Sequence, residues 1–317
     1  GFISLHSFIT GPKCMALKGK YEQSHVMVKV FQWLGCIFLL SIPAMGSIAL
    51  FPQPVTTEAL KWVQLIQTAA LFLLPPFLMA FLWAKQPLEW LKLKSETRGY
   101  GLWAIFLMLI ALPAINLVGY FNQQMSLPAF LEPLEQWMKT SEESAARLTE
   151  QFLNVSTCGG LIINILLMAL LPAVAEELTF RGVLQNLFEV KDETLKKKGN
   201  RVHMAIWCSA ILFSAIHMQF YGFLPRMLMG ALFGYALVWT GSLWIPILMH
   251  FTNNAMAVIL YFLAIRSGWD MDKVDTIGTN DTLWLGVVSL VLTIIGIYAF
   301  RRSTTMSNAS SRISSGN

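Results

Sequence analysis

The stretch GGLIINILLMALLPAV, residues 159–174, carries one polar side chain, Asn164. A segment apolar on every side has no water-facing surface, so it lies in a large core or in a bilayer. Similar runs recur along the chain, and a helical span needs roughly 20 of them in a row. Eight helices are expected, at about 28–51, 60–84, 100–121, 156–188, 203–220, 222–240, 243–265 and 282–300. The span at 203–220 is short, and 222–240 contains Arg226. Pro43, Pro75, Pro76, Pro113 and Pro172 fall inside spans. Neighbouring helices can satisfy the carbonyls that they free. Only 13% of residues are charged and mean hydropathy is +0.56; a soluble domain carries about 25% charged residues. The expected fold is all-α, a polytopic membrane protein of about eight transmembrane helices.

Loop charge gives the expected orientation, because inner loops retain Lys and Arg. With the N-terminus inside, the inner segments hold Lys13, Lys18, Lys20, Lys29, Lys85, Lys92, Lys94, Arg98, Lys191, Lys196, Lys197, Lys198, Arg201, Arg301, Arg302 and Arg312. The outer segments hold Lys61, Lys139, Arg147, Arg266 and Lys273, while Arg181 and Arg226 are embedded. Sixteen against five places both termini in the cytoplasm and the protein in a cell membrane, a bacterial inner membrane if the source is bacterial. The basic balance therefore reports topology rather than nucleic-acid binding, and LKKKG at 195–199 reads as an inner loop.

Flanking segments are expected to carry little. Residues 1–27 read as a cytoplasmic leader; residues 1–14 read as a tag or upstream read-through, with Met15 as the natural start. No cleavable signal peptide is evident. The domain runs over 28–300, and the polar tail 301–317 is expected to lack structure. The outer segment 122–157 contains SEESAARLTEQF, which reads as a capped amphipathic helix lying on the interface or lidding the bundle. Cys14, Cys36, Cys158 and Cys208 show no metal-like spacing and read as small apolar residues. Neither an internal repeat nor a soluble domain is visible.

The chemistry then falls to the intramembrane polar residues, which are functional-site hypotheses by default. AEELTFRG at 175–182 ends the longest apolar run, and burying two carboxylates and an arginine is costly unless they are paired or used. Glu177 and Arg181 are four apart and can pair on one helix face. Glu176 lies about 100° round the helix and can point into the bundle instead. His217 and His250 stand deep in apolar sequence, whereas His6, His25 and His203 do not. A lone intramembrane histidine is as well explained by an interhelical hydrogen bond. Two of them beside a carboxylate pair are harder to explain so. Phe213 and His217 are four apart, as are His250 and Asn254, whose polar ends can converge. Counted from the inner loop, Glu176 and His217 come to similar depth across one helical hairpin. His250 comes out shallower, so either the helix start at 243 is wrong or the site is staggered.

EELTFR, FSAIH and HFTNN resemble, in order, the EExxxR, FxxxH and HxxxN motifs of the CAAX prenyl endopeptidase and bacteriocin-processing family of intramembrane proteases, which includes the type II Ras-converting enzymes. FRGVLQNLF and GSLWIPILMHFTNNA are similar to that family as well. The resemblance covers about 156–265, expected as the catalytic core. It implies that Glu176 activates a water for attack on a peptide carbonyl, that Glu177 and Arg181 orient the site, and that His217 holds or polarises the water. It implies His250 and Asn254 as oxyanion donors, with Phe213 supporting. Neutral donors in a low-dielectric cavity suit that task.

Two mechanisms remain open at this stage: a glutamate protease that needs no cofactor, and zinc held by Glu176, His217 and His250. The sequence lacks HExxH, the rhomboid serine context and GxGD. Two non-enzymatic readings also stand, a membrane immunity or scaffolding protein using the same residues for packing, and a transporter, which the missing inverted repeat disfavours. The expected partners are the bilayer and a membrane-proximal, lipid-modified or leader-type peptide.

Overall fold

A computed structural model describes residues 17–94, 99–189, 198–269 and 276–314, excepting the side chains of 198–200 and 307–314. The expected tag with Met15, the lysines of the 190–197 loop, Lys273 and the last three residues lie outside the described residues. No strand occurs among the described residues. The main helices are α1 (Val26–Gly46), α2 (Thr57–Trp83), α3 (Tyr100–Gln123), α4 (Glu132–Leu153), α5 (Cys158–Phe188), α6 (Lys198–Ala215), α7 (Phe223–Thr240), α8 (Trp244–Ser267) and α9 (Leu283–Ser314).

Seven of these, all but α4 and α6, are long and apolar enough to cross a membrane. The protein is multi-pass. Large apolar side chains such as Phe31, Phe38, Leu102 and Ile294 face outward along the bundle, which a hydrocarbon surround permits and water would penalise. The expected span at 203–220 ends earlier than expected, but the chain just past α6 still reaches α4, where Ser141 donates to the Met218 carbonyl and Glu142 accepts from the Tyr221 N–H. Its apolar helix, Arg201–Ala215, ends at Ala215 and is followed by a turn through Ile216–Met218, with Met218 at φ 54°. The whole helix α6, 18 residues, rises about 27 Å, close to the hydrocarbon core of about 30 Å.

The prolines explain local irregularity. Pro172 and the Pro75–Pro76 pair have no N–H to give the preceding turn. Each lies just after a π-helical stretch, Ile165–Leu170 and Ala69–Leu73, whose wider turn absorbs the lost bond. A third π-helical stretch, Leu178–Gln185, follows directly on Glu177. Glu176 and Glu177 thus end a seven-residue α segment between two wide turns.

Asn164, the one polar side chain of the opening run, is fully buried and used at both ends. It accepts from Lys61 Nζ at 2.7 Å and donates to the Phe152 carbonyl at 2.8 Å. The α7–α8 turn is short, with Gly241 at φ 70° closing α7. Leu243 N–H donates to the Lys92 carbonyl and Trp244 Nε1 to the Leu93 carbonyl. The start of α8 therefore lies beneath the 87–93 segment. The expected helix start is right, and the depth mismatch of His250 is a stagger.

Two other expectations change. The amphipathic helix α4 begins at Glu132, with Pro133 in its first turn and no side-chain cap. Ser141, expected near the cap, is inside the helix and donates to the Met218 carbonyl. Lys139 one turn on and the Leu127 N–H hold the Glu135 carboxyl below the usual carboxylate range. The tail continues as helix to Ser314, and no Gly or Pro interrupts the chain between Phe300 and Ser314. Phe300 anchors it, edge-on to Tyr100 and packed beside Trp239.

Candidate active site

Glu177, Arg181 and Gln185 are spaced by four along α5, and all three are fully buried. A π-helical turn of 4.4 residues keeps such positions close to one face. They meet α7 at two glycines, also four apart. Arg181 Nη1 donates to Glu177 Oε1 at 2.8 Å and its Nη2 to the Gly230 carbonyl at 2.8 Å. Gln185 Nε2 donates to the Gly234 carbonyl at 3.3 Å. A Cβ at Gly230 would stand 3.0 Å from Arg181 Nη2, and one at Gly234 would stand 2.6 Å from Gln185 Oε1. GALFG at 230–234 is thus a small-residue pair in an apolar span that admits polar side chains to the backbone of α7, and the sequence reading missed it.

Aromatic rings close this layer. The Arg181 guanidinium lies 4.5 Å from the Phe213 ring centre and 5.4 Å from that of Phe233. Phe213 also meets the His217 ring at 5.2 Å and the His250 ring at 5.7 Å, both edge-on. Phe233 stacks on His250 at 5.4 Å. One α6 side chain, Phe213, therefore touches the arginine and both histidines. Phe233, its counterpart on α7, was not singled out from sequence.

Hydrogen bonds fix the histidines. His250 Nδ1 stands 3.0 Å from Glu177 Oε1. A carboxylate paired with Arg181 only accepts, so Nδ1 carries the proton. His217 Nδ1 stands 2.8 Å from the Phe213 carbonyl, which also only accepts. In both neutral rings Nε2 is then a lone pair, and both point toward Glu176: its Oε2 lies 3.9 Å from His217 Nε2 and 3.9 Å from His250 Nε2. Within the described residues that oxygen is buried and makes no hydrogen bond. This corrects the expectation of His250 as a neutral donor. Donation through Nε2 therefore requires the imidazolium.

Glu176, Phe213, His217, His250 and Asn254 line one cavity of about 280 Å³. Glu177 and Arg181 stand behind it. Asn254 Oδ1 accepts from Asn253 Nδ2 at 3.2 Å, so its own Nδ2 remains a donor. Arg226, Met229, Phe233 and Asn253 also line the cavity. Arg226 was legible as an embedded charge but was given no role. Met229 and Asn253 are shared with a larger cavity of about 660 Å³, flanked by Ala146, Thr149, Glu150 and Leu153 of α4. The helix expected as a lid covers this antechamber.

Zinc does not fit the side chains as arranged. A tetrahedral zinc with bonds of 2.0–2.1 Å sets its ligand atoms roughly 3.4 Å apart. Glu176 stands wider than that from both histidines, and no metal-binding group of three His, Cys, Asp or Glu occurs among the described residues. Cys36, Cys158 and Cys208 are free thiols remote from the site.

Residues 159–256 match the sequence profile of the type II CAAX prenyl endopeptidase Rce1-like family. That segment holds all three motifs and every side chain of the cavity. The chain is also similar to the uncharacterized protein YpbD of Bacillus subtilis (strain 168), 30% identical over 99 residues. The similarity covers 30% of this chain and 44% of that protein's length. No solved structure matches the chain.

Proposed function

We propose that this membrane protein is an intramembrane endopeptidase of the type II CAAX protease kind, cutting membrane-associated or lipid-modified peptides with a glutamate-activated water. The observation that carries this reading is the convergence of Glu176 Oε2 with two histidine Nε2 atoms, each at 3.9 Å, in one cavity. Glu176 Oε2 and the His217 Nε2 lone pair are two acceptors that suit one water, which bridges gaps of this size, and His250 Nε2 faces the same point.

In this reading Glu176 takes a proton from the water as its oxygen attacks the peptide carbonyl carbon. The Nε2 lone pair of His217 aligns the same water. Asn254 Nδ2–H and the His250 imidazolium, backed by Glu177, face the developing oxyanion. The intermediate collapses with the C–N bond breaking, and Glu176 passes its proton to the leaving amine. Glu177, Arg181 and Phe213 position these groups without touching substrate. A packing role accounts for most polar atoms of Glu177 and Arg181, which bond to each other and to α7 and leave Glu177 Oε2 and Arg181 Nε without a hydrogen bond. It does not account for Glu176, whose Oε2 bonds to nothing within the described residues.

We also propose that both termini are cytoplasmic, which places α4 and the antechamber on the outer side, opposite the basic loops. The test is to incubate the purified protein with a panel of lipidated and leader-type peptides and identify products by mass spectrometry. One defined cut, absent with Glu176→Gln, is expected. Cutting that persists in Glu176→Gln, or stoichiometric zinc whose removal stops it, would overturn the mechanism.

A further inference from the structure

Two arginines of the bundle stand at the candidate site, Arg181 buried and Arg226 half-buried, and they are treated differently. Arg181 is fully buried and has a built-in counter-ion: Glu177 takes its charge, Gly230 its second nitrogen, and two phenylalanine rings its faces. Arg226, on the first turn of α7, faces the cavity that holds Glu176, His217 and His250.

Its hydrogen-bond partner is neutral, and Glu142 and Glu176 act on it only as charges beyond ion-pair distance. Nη2 donates to Gln219 Oε1 at 2.7 Å and Nη1 to the Gln219 carbonyl at 3.3 Å. Among the described residues no carboxylate lies within 4.0 Å of it. Glu142, on the covering helix α4, instead accepts from the Tyr221 N–H. Gly222 leaves room for the guanidinium, since a Cβ there would stand 3.1 Å from Nη2. Gln219 therefore fixes the direction of the fork without neutralising it, and occupies two of its five N–H groups. A cation embedded in an apolar bundle is expensive without a counter-charge. Here the remaining donors face the space that a substrate would enter.

We propose that Arg226 recognises a carboxylate of the substrate, so that the site selects peptides carrying one close to the bond that is cut. This rests on the peptidase reading of the same cavity. The planar fork matches a carboxylate through two parallel hydrogen bonds, which an ammonium cannot do. The carboxylate comes from a chain terminus or from an acidic side chain. A cavity of about 280 Å³ is at the small end for a ligand site and suits a chain end better than a strand running through.

The test uses binding, so that it does not depend on turnover. The Glu176→Gln protein in nanodiscs is titrated with N-terminally palmitoylated decapeptides. One pair differs only in a C-terminal carboxylate against the carboxamide; a second pair, both amidated, differs in Asp against Asn. The carboxylate member of at least one pair is expected to bind at least tenfold tighter. That preference should vanish in Glu176→Gln/Arg226→Gln and be partly kept in Glu176→Gln/Arg226→Lys. The pair showing the preference identifies the source. Equal binding within both pairs by the Arg226-intact protein overturns the proposal without need of any Arg226 variant. A preference that survives Arg226→Gln in folded protein overturns it too. Selective binding by a protein that cuts no peptide would instead leave this proposal standing and remove the peptidase reading.

Discussion

Glu177 Oε1 stands 3.0 Å from His250 Nδ1 and accepts, with the same oxygen, the Arg181 guanidinium at 2.8 Å. One carboxylate oxygen thus joins the helix carrying EExxxR to the helix carrying HxxxN. It also decides which ring nitrogen of His250 bears a proton. The relationship separates structural from chemical roles in the motif, and the first prediction follows from it.

Glu177→Gln should lower stability by about 3–5 kcal/mol, because the buried Arg181 charge loses its partner. Adding Arg181→Met removes the orphaned charge and should restore much of the melting temperature. Turnover should stay low in both variants, since neither leaves a carboxylate behind His250. Melts and peptidase assays on the single and double variants check this. Recovered turnover in the double variant would show that Glu177 serves packing alone.

Glu176→Gln should leave the melting temperature near that of the parent and remove turnover. Its Oε2 makes no hydrogen bond within the described residues, so neutralising it costs the fold little. Retained turnover in a folded variant would refute its role as base.

His250→Ala and Asn254→Ala should each lower kcat by about 10²–10³, the usual effect of losing one oxyanion donor, with KM little changed. Metal content, measured by elemental analysis, should not track these losses. Zinc that disappears in His250→Ala and His217→Ala but not in Asn254→Ala would establish a metal mechanism.

The two glycines of α7 should differ. Gly234→Ala drives a methyl against Gln185 Oε1 and Ile206, and overpacking of this kind costs about 1–3 kcal/mol. Gly230→Ala pushes on Arg181 and Phe213, and Phe213 carries both histidine rings. A lower melting temperature is expected for both, and a loss of kcat beyond it for Gly230→Ala alone. Equal kcat in the two variants would contradict the positioning role of Phe213.

Orientation is tested by labelling. In a Cys158→Ser background, Ser144→Cys on α4 and Thr305→Cys past the last span should react with an impermeant maleimide from opposite sides of the membrane. Labelling from one side would refute the arrangement with both termini inside.

The sequence by itself determined the class of fold and marked the candidate residues of the site. Runs of apolar residues longer than a soluble helix needs have one stable setting, and a polar residue inside them requires a reason. That logic marks Glu176, Glu177, Arg181, His217 and His250, and the four-residue spacing pairs Glu177 with Arg181 before any coordinates. Only the tertiary structure decided which nitrogen of each histidine faces the site, since a tautomer follows from an acceptor on another helix or on the preceding turn. It alone brought in Phe233, Gly230 and Gly234, whose roles depend on what stands opposite them across α5 and α7. The stagger of His250 was likewise invisible. Depth counted along the chain assumes that every helix starts at the same level, and α8 starts beneath a loop contributed by residues 87–93. Arg226 shows the boundary most clearly. Its charge is plain in the sequence, but how far Glu142 and Glu176 stand from it depends on the folded bundle.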